Sequence, residues 1–206
     1  MDIFIFGFIT GLSLILAIGA QNIFVIEQGL KKNNVFIVCL LCSLFDAFLI
    51  ALGVFIFHYF LFFSNTLVIL ILNILLIFFL IFFIYQKALL TNNQYTYTKK
   101  SKDTVFQSVI KTFGFTFLNP HVYSDTVFFL GNFSKSMDIS SKIIFGLGAS
   151  TASLIFFFIL GYGAKAVSKH INNAYAWKLI NIFIIIFMTL VILFIVYNEI
   201  YVVFFK

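Results

Sequence analysis

Long apolar runs separated by short polar segments dominate the pattern along this chain. Six runs have about the length, roughly 18–20 residues, that a helix needs to cross the hydrocarbon core of a bilayer. They cover residues 3–25, 35–57, 67–85, 112–130, 143–162 and 179–204. The pattern predicts an all-α fold, a polytopic membrane protein with six transmembrane helices.

The composition supports a membrane protein and excludes a nucleic-acid-binding one. Hydrophobic residues make up 63% of the chain and charged residues 10%, with a mean hydropathy of +1.13. These values lie outside the range of soluble globular domains. The net charge of +6 comes from lysines in short segments between the apolar runs. Scattered loop charges of this kind do not form a basic patch for nucleic acid, so we expect membrane lipid as the surrounding partner.

The lysines also predict orientation and divide the chain into two halves. Most of them lie in the first, third and fifth loops, and positive loops stay cytoplasmic. The longest polar segment, residues 87–103, is therefore predicted to be a cytoplasmic loop. We expect residues 1–206 to form one transmembrane domain, with a first repeat over residues 1–86 and a second over residues 104–206.

Polar residues interrupt the first apolar run of each half. The interruptions read Gly19-Ala20-Gln21-Asn22 and Leu118-Asn119-Pro120-His121. Pro120 is the only proline, and it cannot continue a helix, whereas Asn119 can cap a new half-helix that begins at Pro120. Three spans per half place the halves in opposite orientations. The pattern thus predicts a 3+3 inverted repeat with broken helices 1 and 4, and such breaks mark transporter binding sites.

Two acidic residues lie inside the apolar runs. Asp46 is at the centre of the second run, and Asp125 follows His121 by four residues, on the same helical face. An intramembrane carboxylate is a functional hypothesis by default. The positive end of a half-helix suits a carboxylate, and two acids suit an ammonium group, a guanidinium group or a proton. This set matches a cationic amino acid. The structural alternatives are that Asp46 only forms a hydrogen bond to a neighbouring helix, or that the acids only bond to Ser43 or Tyr123.

Several motifs together resemble the lysine/arginine exporter family. They are residues 11–22, 27–30, 46–54, 118–126, 161–165 and 176–181. The likeness covers nearly the whole chain, and the Gly-Ala-Gln-Asn and Asn-Pro-His blocks are its most specific parts. The resemblance implies an exporter of basic amino acids in the bacterial inner membrane, driven by the proton-motive force.

The predicted site combines the acids with the polar residues of the two interruptions. Asp46 and Asp125 are expected to bind the cationic side chain or to exchange protons. The predicted substrate-binding residues are Gln21, Asn22, Asp46, Asn119, Pro120, His121 and Asp125. Because the sequence offers no nucleophile–base pair and no metal cluster, we expect no enzymatic activity, no cofactor and no metal. Export of another amino acid or small solute is the alternative, and the oligomeric state is left open.

Overall fold

The computed structural model of the chain is helical throughout its described part. The described residues are 2–16, 19–60, 66–92, 103–119, 122–170 and 174–197, and they contain no strand. The helices in chain order are α1 (Ile3–Ile15), α2 (Ala20–Lys31), α3 (Val35–Phe60), α4 (Thr66–Asn92), α5 (Val105–Phe117), a π-helix (Tyr123–Phe129), α6 (Leu130–Ser134), α7 (Ile139–Val167), a 3₁₀ turn (Ser168–His170) and α8 (Ala174–Ile195). The predicted all-α class is confirmed.

Several of these helices are long and apolar enough to cross a membrane. Val35–Ile56, Ile139–Val167 and Lys178–Ile195 each qualify alone among the described residues, and the bent pair α1–α2 qualifies together. Helix α4 contributes the shorter apolar stretch Asn73–Tyr85. The outward faces carry large apolar side chains, which water would disfavour and lipid accommodates. The architecture is that of a multi-pass membrane protein.

Helix α7 packs against the first three helices, most extensively against α1. The backbones of α1 and α7 approach so closely that a Cβ on Gly7 would collide with the carbonyl oxygen of Phe145, and one on Gly148 with that of Phe4. At Gly11 an added Cβ would lie 2.8 Å from the Cα of Ala149. The Gly7-x-x-x-Gly11 pattern therefore serves close helix packing, as small residues do in membranes.

Capping residues determine where two helices begin. Thr104 and Gln107 form a capping box, so α5 begins at Val105. Asp138 caps α7 by accepting hydrogen bonds from Ser140 and Ser141. The hydrogen bond from the Ser141 hydroxyl, followed by those from the backbone N–H groups, lowers the pKa of the exposed Asp138 carboxyl.

Some predicted boundaries differ from the structure. The fourth run was expected over residues 112–130, but the helix begins seven residues earlier, at Val105. The hydropathy pattern misses this first part because it contains three polar residues, Gln107, Ser108 and Lys111, of which only Ser108 is buried. The loop predicted from residue 87 also begins later, since α4 continues to Asn92. The rest of that loop, residues 93–102, and the predicted end of the last span, 198–204, lie outside the described residues.

Candidate functional site

The break between α1 and α2 places the N-terminus of α2 at an internal cavity. The axes of the two helices differ by 84°. Gly19 is the N-cap residue of α2, and no side chain caps the first turn. The N–H groups of a first helical turn have no partner within their own helix, and they carry a partial positive charge. This end of α2 therefore favours an anion or a polar ligand.

Two amides follow Gly19, and they differ in their hydrogen bonds. Asn22 donates from its Nδ2 to the carbonyl oxygen of Ile15 at 3.1 Å, which connects α2 to the end of α1. Gln21 is 6% exposed and lies beside the Asp46 carboxylate and the Cys42 thiol. Gln21 Nε2 donates no well-aligned hydrogen bond to an acceptor among the described residues. Gln21 is thus a buried amide that borders the cavity close to Asp46, with no well-aligned hydrogen bond at its Nε2 among the described residues.

Asp46 is buried in the middle of α3. Its carboxylate is 3% exposed, and its Oδ2 accepts a hydrogen bond of 2.9 Å from the Ser153 hydroxyl on α7. Ser43 instead donates to the carbonyl oxygen of Cys39 at 2.8 Å. Ser43 is therefore not the partner of Asp46, whereas the other structural alternative, a hydrogen bond to a neighbouring helix, is present. The Ser153 hydroxyl and the adjacent Gln21 amide are both neutral, so these two contacts bring no positive charge to the Asp46 carboxylate.

The second break lies between α5 and the π-helix. Helix α5 ends at Phe117, whose carbonyl oxygen accepts a hydrogen bond of 2.9 Å from the Tyr123 hydroxyl. The π-helix then carries Asp125 and Thr126 along the cavity. Insertions of π-helix are rare and occur often at functional sites. The tyrosine is thus bonded to the end of the broken helix, and Asp125 projects from an unusual backbone segment.

A cavity of about 480 Å³ connects the two breaks. Its polar lining comes from both halves of the chain, and α8 contributes more of its apolar wall than any other helix does. The lining residues are Leu14, Ile15, Gly19, Ala20, Gln21, Asn22, Asp46, Leu76, Asn119, Val122, Asp125, Thr126, Phe157, Phe187, Leu190, Val191 and Phe194. The volume lies within the range of ordinary small-molecule sites, about 300–1,000 Å³.

The structure brings together most of the residues that the sequence predicts for the site. Five of them, Gln21, Asn22, Asp46, Asn119 and Asp125, line this one cavity. The other two, Pro120 and His121, lie outside the described residues. The sequence missed the contributions of Thr126 and of Ser153, the hydrogen-bond donor to Asp46. Both are short hydroxyl residues in apolar helices, and the placement of Ser153 depends on packing across 107 positions in the chain.

A second buried polar group lies at the opposite end of α2. We call Gln28, Asn33, Asn34, Asp103, Ser108 and Lys111 the Asp103 cluster. The Asp103 carboxylate accepts hydrogen bonds from Gln28 Nε2 at 2.8 Å and from Lys111 Nζ at 2.6 Å. Its carbonyl oxygen accepts hydrogen bonds of 3.0 Å from Nδ2 of Asn33 and of Asn34. The cluster joins the loop after α2 to the start of α5.

An aromatic layer lies between the cavity and the Asp103 cluster. Phe24 stacks on Phe115 with ring centroids 4.9 Å apart, and Phe83 meets Phe115 edge-on at 5.1 Å. Phe24 and Phe115 are fully buried, and each is four residues, about one helical turn, from a member of the cluster. The packed rings separate the cavity from that end of α2.

The described side chains give no sign of a metal centre. No group of three or more His, Cys, Asp or Glu residues among them could hold a metal ion. Cys39 and Cys42 are buried free thiols, and Cys39 donates to the carbonyl oxygen of Phe157 at 3.2 Å. Both cysteines pack as small core residues.

The chain is similar to known translocators along almost its entire length. A family model described as LysE type translocator matches residues 12–199. The lysine exporter LysE of Corynebacterium efficiens is 30% identical over 221 aligned residues, covering 92% of this chain and 96% of that protein. The arginine exporter protein ArgO of Salmonella paratyphi A is 30% identical over 187 residues, covering 90% and 89%. No solved structure matches the chain.

Proposed function

We propose that this chain, which belongs to the LysE type translocator family, exports L-lysine and/or L-arginine across the bacterial inner membrane. The observation that carries the proposal is the cavity with two acids, Asp46 and Asp125, on its wall. Relatives named as a lysine exporter and an arginine exporter support the same substrate class. We further propose that the proton-motive force drives the export.

The two acids suit a cationic substrate. An ionised carboxylate inside the hydrocarbon region is costly unless a charge or a proton compensates it. Asp46 stands on α3 and Asp125 on the π-helix, so opposite halves of the chain supply the negative groups. A bound lysine or arginine neutralises them with its two positive groups, the α-ammonium group and the side chain, in one step of the cycle, and protons do so in the other. Exchange of substrate for protons at the same acids couples export to the proton-motive force.

The polar residues of the two breaks orient the substrate in this proposal. Gln21 and Asn22 do so from the first break, and Asn119, Pro120 and His121 from the second. We propose that the two halves form an inverted 3+3 repeat of six spans, which would place both breaks near the bilayer midplane. An experimentally determined structure whose halves fail to superpose by a two-fold rotation in the membrane plane would contradict the repeat.

Efflux from proteoliposomes tests the proposed function. Vesicles containing the purified protein are loaded with radiolabelled lysine, arginine or leucine, with and without an imposed pH gradient. We expect efflux of a basic amino acid that the gradient accelerates. In Asp46→Asn and Asp125→Asn the efflux should fall tenfold or more, because a charge-assisted interaction is lost.

The matched control is an acid outside the cavity. Asp138→Asn removes a carboxylate of the same type from the exposed start of α7, and asparagine is an equally good N-cap. We expect this variant to export at the wild-type rate. Wild-type efflux from both cavity variants would remove the acids from the mechanism, and absence of lysine and arginine efflux from the wild type would contradict the substrate class.

A second candidate is export of a neutral amino acid. The apolar wall of the cavity favours it, since Phe187, Leu190, Val191 and Phe194 could accommodate an aliphatic side chain. The leucine arm of the same experiment separates the two candidates: leucine efflux without lysine or arginine efflux would establish the neutral substrate.

A further inference from the structure

We propose that the N-terminus of α2 binds the α-carboxylate of the substrate. In this arrangement the backbone N–H groups of Ala20 and Gln21, together with Gln21 Nε2, donate to the carboxylate, and the adjacent α-ammonium group faces Asp46. The inference rests on the proposed function, because it says how an exported amino acid is held. It assigns the head group of the substrate to the first break and leaves its side chain to the rest of the cavity.

The unpartnered donor of Gln21 is the first observation. Its side chain is 94% buried, lines the cavity, and has no hydrogen bond at Nε2 within the described residues. A buried amide donor without a partner is costly, and native structures contain few of them. A ligand that brings an acceptor into the cavity would provide the missing hydrogen bond.

The end of α2 is the second observation. The helix has 12 residues, enough to build a dipole, and its N-cap is a glycine that offers no side chain to the first turn. Apart from Gly19 and its chain neighbours, no atom of the described residues lies within 4 Å of the position that a Cβ on Gly19 would take. The space beside Gly19 therefore leaves room for a ligand at the start of α2, where an anion is favoured.

The position of Asp46 beside Gln21 indicates which kind of anion fits the N-terminus of α2. A simple carboxylate placed at Gln21 would be repelled by the Asp46 carboxylate beside it. An α-amino acid avoids this repulsion, because it carries an ammonium group on the carbon next to its own carboxylate. The pair of Gln21 and Asp46 thus matches a zwitterionic head group, in which opposite charges are close together.

Binding of matched ligand pairs to the purified protein tests the inference. The probes are lysine against lysinamide, arginine against argininamide, and leucine against leucinamide, where each amide lacks the negative carboxylate. We expect the wild type to bind a substrate amino acid about tenfold to a hundredfold more tightly than its amide. The acid 6-aminohexanoate, which has no α-ammonium group, should bind as weakly as the amides.

Two substitutions at Gln21 and one control complete the experiment. Gln21→Leu should lower the preference for the acid over its amide by about tenfold or more. Gln21→Glu should weaken binding of the amino acid further, and its affinity for the amide should be at least that of the wild type. Gln107→Glu changes an exposed glutamine that does not line the cavity, preserves the capping box of α5 because glutamate can fill the same position, and should keep the full preference.

Each outcome decides the inference. A wild type without preference for the acid, or a preference that survives in both Gln21 variants, overturns the carboxylate site and leaves export standing. The neutral pair keeps the test valid if the substrate is not basic. Failure of all three amino acids to bind would overturn the proposed function together with the inference.

Discussion

Both ends of helix α2 bury a glutamine side chain, but the hydrogen bonding of the two glutamines differs. We call the N-terminal end, with Gln21, the open end and the C-terminal end, with Gln28, the closed end. At the N-terminal end Gln21 is 6% exposed, and its Nε2 has no partner among the described residues. At the other end Gln28 is fully buried; it donates to Asp103 at 2.8 Å and accepts from Asn33 at 3.3 Å. Burial alone therefore does not distinguish a binding residue from a structural one.

The difference lies in what surrounds each glutamine. Gln28 belongs to a network whose members bond to one another, and such networks stiffen a fold when they are fully satisfied. Gln21 faces an open cavity beside a carboxylate, where the missing partner has to come from outside the chain. A buried polar group that is hydrogen-bonded to neighbouring residues stabilises the packing of the helices. A buried polar group that faces a cavity is available to bind a ligand.

The largest effect in this comparison is expected from the closed end. Asp103→Ala removes the acceptor of Gln28 Nε2 and of Lys111 Nζ, and both donors are mostly buried. Breaking a largely buried charged network by removing one partner costs on the order of 3 kcal/mol. We expect a clear fall in the melting temperature of the detergent-purified protein.

The control for Asp103 is the other acid that lies directly before a helix. Asp138 is fully exposed, and it bonds only to groups in the first turn of α7. Asp138→Ala should therefore lower the melting temperature less than Asp103→Ala does. Equal shifts in the two variants would mean that the Asp103 cluster contributes no more than an exposed helix cap.

Much of the open end can be predicted from the sequence. Gln21, Asp46 and Asp125 stand out because polar residues inside apolar runs are expensive to keep in a membrane. The interruptions likewise predict the breaks that bring them together, and the motif resemblance gives the family, which the translocator model confirms. The local sequence is sufficient to predict these residues because each of them is a polar residue within an apolar run.

The closed end and the finer geometry could not be predicted in this way. Asp103 falls in what reads as a polar loop, and its bond to Gln28 spans 75 positions in the chain. Nothing local marks either residue as the partner of the other. The π-helix over Tyr123–Phe129 has the composition of an ordinary apolar span. A π-helix differs from an α-helix only in which carbonyl oxygen each N–H group reaches, and composition does not reveal that difference.

A smaller effect on stability is expected from the contact between α3 and the π-helix, which carries Asp125 along the cavity. Gly53, two turns after Asp46 on α3, lies against the π-helix, and an added Cβ would be 2.6 Å from the carbonyl oxygen of Val127. Gly53→Ala should therefore displace the segment that carries Asp125, at a cost of about 1–3 kcal/mol. We expect a lower melting temperature and slower efflux of the transported amino acid.

Gly163 is the matched control for Gly53. It also lies in a helix, but apart from its chain neighbours and the adjacent backbone of its own helix, no described atom is within 4 Å of its added Cβ. Gly163→Ala should raise stability slightly, since alanine has a helix propensity about 1 kcal/mol better than that of glycine. If Gly53→Ala behaves like Gly163→Ala in both measurements, contact with α3 does not position the π-helix.

The smallest effect, and the sharpest contrast, comes from one substitution made at both ends of α2. Gln21→Met removes a donor that has no partner, so its melting temperature should stay within the error of the wild type or rise slightly. Gln28→Met, a change of the same size on the same helix, removes hydrogen bonds to Asp103 and Asn33 and should lower the melting temperature measurably. Addition of the transported amino acid should then stabilise Gln28→Met and the wild type, but Gln21→Met much less, because ligand stabilisation depends on affinity. A Gln21 variant that is as destabilised as the Gln28 variant would mean that both glutamines are structural, and the distinction between an open and a closed end of α2 would be lost.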